Sequence, residues 1–420
     1  MGNNLVNKNN HKTSILYVHY GDDWIRGSEV VLLDLLILVK QHGYYPVLWC
    51  NSAILANKAA SLGIEVIIDN FVCLGYWTQP KWDFLQYFKL LIKAKQLIEQ
   101  YKISLVHCNN GAPCQWMTPI CKLTSTAILL HLHAKYLYRD RLTLLFNSAD
   151  SIIGVSHSVI APFKQNEFKN QQVNVIYNAI EPSRALTSNP RDIRAEFSAR
   201  DSDFVMLYLG SLITRKSVHQ ILFALASLKN NKIKLAIFGS GSEKTNLVNL
   251  VKKLDLNSRV KFFLPTDNVA SIYSSNADCF ISVPSEEVFG LTLAEASIAK
   301  LPIITSDIPG INEIYSHNTN ALLVPPNNIE KLAYAINTLI DNPRLRNRLA
   351  KNAHQHILKN FTLQQQIKAF NHAYQSLLNK KHSLELLKMC LLQLKSFCSA
   401  IFNKTLAYLL LKISWRKSHD

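Results

Sequence analysis

Acidic side chains are in short supply. The chain has 29 Asp and Glu against 46 Lys and Arg in 420 residues, a formal net charge of +17. A balance of that size asks for an anionic partner. Nucleic acid is disfavoured, because the basic residues are spread along the whole chain and no helix-turn-helix, zinc-finger or RNA-binding aromatic motif focuses them. An anionic membrane surface and diphosphate-bearing molecules account for the sign more economically. Charge of either sign is sparse at 18% of residues against 48% hydrophobic, which excludes a disordered chain. Cys-x-x-Cys pairs are missing too. The eight cysteines are scattered, and Cys50, Cys73, Cys108 and Cys279 stand in or beside apolar runs expected to be buried, so zinc and disulfide frameworks are disfavoured and a reducing compartment is expected. Met1 to Lys12 is polar and asparagine-rich and lacks the apolar core of a signal peptide, which points to the cytoplasm. Internal repeats are absent.

What remains is an alternation of short apolar runs with helical or loop segments. Ile15 to Tyr20, Pro46 to Cys50, Val66 to Ile68, Leu105 to His107, Ala127 to Leu130, Ile152 to Val155 and Val173 to Tyr177 read as buried strands. A polar stretch from Glu181 to Asp203, with two prolines and several charges, reads as a linker plus a short helix. A second set of strands follows: Phe204 to Leu209, Ile233 to Phe238, Val260 to Phe263, Cys279 to Val283, Pro302 to Thr305 and Ala321 to Val324. Strands alternating with helices imply mostly parallel, doubly wound sheets, and 420 residues exceed one ordinary core. Two Rossmann-like α/β domains facing a cleft are expected.

Residues 283–295, Val-Pro-Ser-Glu-Glu-Val-Phe-Gly-Leu-Thr-Leu-Ala-Glu, are the most informative stretch. The strand ending at Val283 feeds a turn, and Leu291 to Ala299 reads as a helix, which places Glu287 in the loop and Glu295 inside the helix. Backbone N–H groups at a helix start seat a phosphate, and Gly290 lets a ligand approach closely. A carboxylate about one turn further in can accept hydrogen bonds from both hydroxyls of a ribose. Together these suit a sugar nucleotide.

The stretch resembles the donor-site signature of the retaining glycosyltransferases of glycosyltransferase family 4, which have the GT-B fold. Pro284-Ser285, Glu287, Phe289-Gly290-Leu291 and Glu295-Ala296 fall in the family's order and spacing. Gly210-Ser211-Leu212-Ile213-Thr214-Arg215-Lys216-Ser217 resembles its G-R-L-x-x-x-K-G segment, with Ser211 at the usual arginine and Ser217 at the usual glycine. Phe238-Gly239-Ser240-Gly241 resembles the glycine-rich turn near the nucleotide base. Thr305 to Glu313 resembles the segment ending in Gly-x-x-Glu, where Glu313 caps or orients a loop and takes no part in the reaction. In the first domain Arg26-Gly27-Ser28-Glu29 stands where relatives carry Gly-Gly-x-Glu, and Asn178-Ala179 where Asn-Gly is usual. His133 matches the family histidine near the donor sugar; His131 is its rival, one alternation away and expected to point oppositely if the strand continues.

The resemblance implies roles for these positions. Lys216 neutralises the leaving diphosphate, with Arg215 as the candidate replacement for the arginine missing at 211. Glu287 and His133 complete the catalytic set. Glu295, Phe289, Gly290, Leu291, Gly210, Gly239 and Gly27 join Arg215 in binding the donor. No Asp-x-Asp stands where the diphosphate would lie, so neither a metal nor a cofactor beyond the nucleotide-sugar co-substrate is required. The implied activity is retaining transfer from a nucleotide-diphosphate sugar to a cell-envelope glycan or lipid-linked acceptor, with a nucleotide-sugar epimerase or a non-catalytic envelope-assembly protein of the same fold as alternatives.

Domain limits follow: an acceptor-side domain over 1–182, a nucleotide-sugar domain over 183–361, a helix returning to the first domain over 362–381, and a helical tail over 382–420. The tail is rich in Leu, Phe, Ile and Cys, has lysines at 388, 395, 404 and 412, and carries acid only at Glu385 and Asp420. Its longest stretch without a charge, Ser396 to Asn403, falls far short of the ~20 residues that cross a bilayer. Basic amphipathic helices lying in the headgroup region are expected there, with the protein peripheral at the inner face of the cytoplasmic membrane.

Overall fold

Continuous apolar runs such as Ile15-Leu16-Tyr17-Val18 and Leu235-Ala236-Ile237-Phe238 have no polar side to offer water, so they settle as central parallel strands covered on both faces. The computed structural model describes residues 12–75, 82–163, 171–264, 266 and 268–379. These divide into two compact units, one of 12–155, 159–176 and 367–379, the other of 156–158 and 177–366. The divisions at 176/177 and 366/367 stand against 182/183 and 361/362 read from the sequence. Two bonds tie the intervening linker to the second unit: the Tyr177 hydroxyl donates to Glu313 at 3.1 Å, and the Ile180 N–H donates to the Phe361 carbonyl at 3.1 Å.

The first unit has a seven-stranded sheet. Its strands are β1 (Ser14–His19), β2 (Tyr45–Cys50), β3 (Glu65–Ile68), β4 (Ile103–Cys108), β5 (Ala127–Leu132), β6 (Ser151–Gly154) and β7 (Gln172–Val175), in the order β3-β2-β1-β4-β5-β6-β7, all parallel. Side-chain caps start two of its helices: Ser52 accepts from the Leu55 N–H and Asp83 from the Gln86 N–H. The last helix, Leu363–Leu378, packs into this unit from Ile367 on, burying Ile367, Phe370, Tyr374 and Leu377. The Tyr374 hydroxyl meets Tyr17 Oη at 3.0 Å and His107 Nδ1 at 2.8 Å.

The second unit has a six-stranded parallel sheet of β8 (Phe204–Leu209), β9 (Ile233–Phe238), β10 (Val260–Phe263), β11 (Cys279–Ser282), β12 (Ile303–Ser306) and β13 (Leu322–Val324), in the order β10-β9-β8-β11-β12-β13. Ile221, Leu222, Leu235, Ile281, Ile304 and Ile336 lie in its sealed core.

Every strand read from the sequence is present, with ends shifted by at most two residues. Strand order reverses between β1 and β4 in one sheet and between β8 and β11 in the other. Helices leave to opposite faces at such a reversal, and a crevice opens at the carboxyl ends of the two strands. Cys50, Cys73, Cys108, Cys114, Cys121 and Cys279 are free and buried. Among the described residues no helix is long and apolar enough to cross a membrane. The basic amphipathic tail at 382–420 lies outside the described residues.

Candidate functional site

In the second unit the chain leaves β8 into 210–217 and leaves β11 into 283–290, so both candidate loops stand at the reversal. Hydrogen bonds stitch them together. The Ser285 N–H donates to the Arg215 carbonyl at 2.9 Å, Ser285 Oγ to the same oxygen at 3.2 Å, and Arg215 Nη1 to the Glu286 carbonyl at 3.3 Å. Two cations then converge on one carboxylate. Lys216 Nζ lies 2.5 Å from Glu287 Oε2, and Arg215 Nη1 lies 3.7 Å from the same oxygen. Glu287 Oε1 accepts from the Val288 N–H at 3.1 Å. Burial pushes the Glu287 carboxyl up, but Lys216, Arg215 and the Val288 N–H outweigh it, so the group sits below its ordinary value and is ionised.

Arg215 thus reaches the neighbourhood of Lys216 despite its displacement along the loop from position 211. The loop turns at Ser217, whose φ of 51° is the left-handed conformation that glycine adopts without strain.

Gly290 caps the helix Leu291–Ile298 at φ 84°. Gly310 packs against the Glu287 loop so closely that a Cβ would stand 2.5 Å from the Glu287 carbonyl oxygen. Three residues on, Glu313 accepts from the His157 and Ser158 N–H groups at 2.7 and 2.9 Å as well as from Tyr177, the loop-holding position expected of it. A Cβ on Gly239 would stand 2.0 Å from the Gly210 carbonyl oxygen, so this glycine first serves the close backbone packing of the loops after β8 and β9. Phe289 is a core residue, its ring 5.6 Å from Phe361 and 6.5 Å from Tyr177. Leu291 is half-buried at the helix start.

Glu295 lies inside the helix as expected, but buried and already engaged. Arg184 Nη2 donates to its Oε1 at 2.8 Å and the Tyr273 hydroxyl to its Oε2 at 2.9 Å. Burial and the Glu295 charge both raise the Tyr273 phenol well above its ordinary value, so it stays a donor. Arg184 and Tyr273 escaped the sequence reading. The signal available was an arginine two residues after Pro182 in an otherwise polar linker. Among the described residues no group of three or more His, Cys, Asp or Glu side chains is arranged to hold a metal ion.

The first unit gathers its histidines at its own reversal. His19 ends β1, its Nδ1 3.0 Å from the Asn109 carbonyl oxygen and its Nε2 2.9 Å from Glu29 Oε1. Glu29 Oε2 accepts from the Arg26 N–H and from Ser28 Oγ, both at 3.0 Å, which starts the helix Gly27–Gln41. Burial raises the Glu29 carboxyl, while the bond and charge of His19 and its other donors pull it down to about 2. Glu29 is therefore more than an exposed charge beside a helix dipole.

The two rival histidines do not point oppositely. Residues two apart along a strand share a face, and although β5 ends at Leu132 the chain keeps that relation: the His131 and His133 rings lie 4.1 Å apart. His131 is sealed, with neither ring nitrogen hydrogen-bonded. His133 is half-buried, its Nε2 3.0 Å from Asn109 Oδ1. Burial pushes both imidazoles well below their ordinary value, the neighbouring rings adding to it, so both are neutral.

Known proteins resemble both halves of the chain. The family model for glycosyl transferases group 1 matches residues 190–356, and that for Glycosyltransferase Family 4 matches residues 25–184. An O-antigen biosynthesis glycosyltransferase, WclY, of Escherichia coli is 31% identical over 180 residues, 43% of this chain and 47% of its own. The N-acetyl-alpha-D-glucosaminyl L-malate synthase of Bacillus anthracis is 23% identical over 231 residues, 55% of this chain and 60% of its own. The chain thus spans about half the length of these relatives. Among solved structures, a glycosyltransferase from Rickettsia africae superposes with a TM-score of 0.77 at 20% identity, covering 88% of this chain and 99% of the other. Anabaena Alr3699/HepE in complex with UDP and glucose gives 0.75 at 20% identity, covering 87% and 100%.

Proposed function

The chain belongs to the glycosyltransferases of the group 1 and family 4 type, and from that premise we propose that it moves a sugar, with retention, from a nucleotide-diphosphate sugar to a cell-envelope glycan or glycolipid. The observation that carries this reading is the pair of cations, Lys216 and Arg215, held by Glu287 beside the helix start at Gly290. Glycosyl transfer by this route builds positive charge on the sugar and negative charge on the departing diphosphate, so pre-placed cations lower the barrier. An ammonium has three N–H donors. One goes to Glu287, which fixes the group in place and leaves two for phosphate oxygens.

In the proposed reaction the acceptor hydroxyl forms its bond to the anomeric carbon on the face from which the diphosphate departs. The bond from that carbon to the phosphate oxygen breaks, and the hydroxyl proton passes to the departing diphosphate. Glu287 holds sugar hydroxyls, Glu295 holds the ribose, and His133 is the first unit's candidate for contact with the transferred sugar. Metal independence is part of the proposal; transfer that survives a chelator supports it. So is a cytoplasmic place peripheral to the membrane, where a lipid-linked acceptor would be met. The O-antigen biosynthesis role of the Escherichia coli relative and the UDP and glucose held by the Anabaena structure support the substrate class.

The test is incubation of the full-length protein with labelled nucleotide sugars and a glycolipid acceptor. Label moved to the acceptor supports the reading. A nucleotide sugar returned as its epimer, or no turnover of any donor, overturns it.

A further inference from the structure

We infer that the exposed side of the helix Phe84–Gln100 is a docking surface for an anionic lipid membrane. The inference deepens the reading of a lipid-linked acceptor and rests on it for its purpose, but membrane binding is measured without sugar transfer, so the two can fail separately.

The helix buries one stripe, Tyr87, Leu90, Ala94, Leu97 and Ile98, against its own unit. A second apolar row runs along the outside. Phe84, Phe88 and Ile92 recur every four residues, which keeps them on one face, and Leu85 stands beside them. They are 49%, 59%, 60% and 70% exposed, in that order. Trp82, 44% exposed, stacks on Phe84 with ring centroids 6.2 Å apart and lengthens the row. Single exposed apolar residues are ordinary on a protein surface, whereas a contiguous patch of large ones marks an interaction site.

Charge selects the occupant. The helix carries Lys89, Lys93 and Lys95 against one acid, Glu99, which is 3.6 Å from Lys95. At about 100° per residue, Lys89 and Lys93 stand roughly 140° and 180° around from Phe84 and border the row on one side. Aromatic and aliphatic side chains flanked by ammonium groups match the boundary of an anionic bilayer, apolar groups entering the acyl region and lysines staying at the phosphates. A whole-chain charge of +17 draws the protein toward the same surface from a distance.

Flotation of the full-length protein with vesicles of equal parts phosphatidylglycerol and phosphatidylcholine, and with phosphatidylcholine alone, tests this. Binding is expected to the mixed vesicles and to fall as salt rises. Leu85→Ser with Phe88→Ser should weaken it at least about tenfold. Lys89→Gln with Lys93→Gln should weaken it by about fivefold per lysine on mixed vesicles only. The lysine pair alters no buried side chain, so it decides the matter if the first variant fails to fold. Wild-type protein that does not float, or variants that float as it does, overturn the inference. So does a wild-type dimer that the Leu85 and Phe88 changes split into monomers, since the face would then belong to a second copy.

Discussion

Lys216 Nζ and Glu287 Oε2 lie 2.5 Å apart in the second unit, the closest of the contacts by which two cations share one carboxylate. Both side chains are largely withdrawn from water, at 14% and 12% exposure. Removing the lysine leaves a buried carboxylate without its main partner. Lys216→Ala should therefore cost roughly 1.5–3 kcal/mol of stability, read as a lower urea midpoint, and should depress turnover more than it raises the Michaelis constant for the donor. A variant of unchanged midpoint and turnover would show that the pair is a surface contact.

Because Arg215 approaches the same oxygen, its effect should overlap with that of Lys216. Arg215→Ala should lower transfer, and the double variant should lose less than the sum of the two. Ser211→Arg should add little. A tenfold gain from Ser211→Arg, about 1.4 kcal/mol of barrier, would mean instead that the loop lacks a cation Arg215 does not supply.

Ser217 occupies a left-handed conformation at φ 51°. That conformation costs a non-glycine residue about 1–2 kcal/mol, while glycine gives back about 0.4–1 through its freer unfolded chain. Ser217→Gly should be stabilising by roughly 0.5–1 kcal/mol, visible as a raised urea midpoint. A lowered midpoint would show that the serine side chain contributes more than its backbone strain takes away.

The strands could be read because their evidence is local: Phe204–Leu209 is a continuous apolar run and Ile233–Phe238 is broken only by the half-buried Lys234, and both have the same limits in sequence and structure. Glu287 and Lys216 were legible as candidates for the same reason, each sitting in a short motif at a strand end. The partners of Glu295 were not, since Arg184 lies 111 residues away and Tyr273 22, and an ion pair or phenol bond across such separations leaves no periodic trace. The relation of His131 to His133 was legible but misread: a period of two puts residues two apart on one face, where their rings meet. The helix Phe84–Gln100 is apolar around more than half its circumference, so the sequence could not say which row would face water.

Two overlapping acid windows in the first unit should be told apart by substitution. His107 is pushed down to about 3 by burial, the neighbouring His133 adding to it, and His131 is also held well below the ordinary 6.5. A histidine whose folded value lies below its unfolded one contributes fully above the unfolded value, and the contribution is lost as pH falls below it. Stability should therefore decline from about pH 6.5 downward, by about 1.4 kcal/mol per pH unit for each such histidine. His131→Leu should flatten part of that decline. Glu29, held at about 2 against an ordinary 4.5, acts lower: its contribution, on the order of 3 kcal/mol, is present above pH 4.5 and lost toward pH 2, and Glu29→Gln should remove it. Unfolding midpoints of wild type and variants between pH 7 and pH 2 check both windows, and identical profiles would contradict the assignments.

The loops after β8 and β11 are expected to take a nucleoside diphosphate, with Glu295 on its ribose. Calorimetric titration of the full-length protein and of Glu295→Gln with UDP, ADP and GDP tests it most directly. Saturable binding of at least one of the three is expected, weakened about tenfold or more in the variant, since a hydrogen bond to a charged group contributes about 1.5–3 kcal/mol. No binding of any of them to the wild-type protein, or equal affinity in the two proteins, would contradict it.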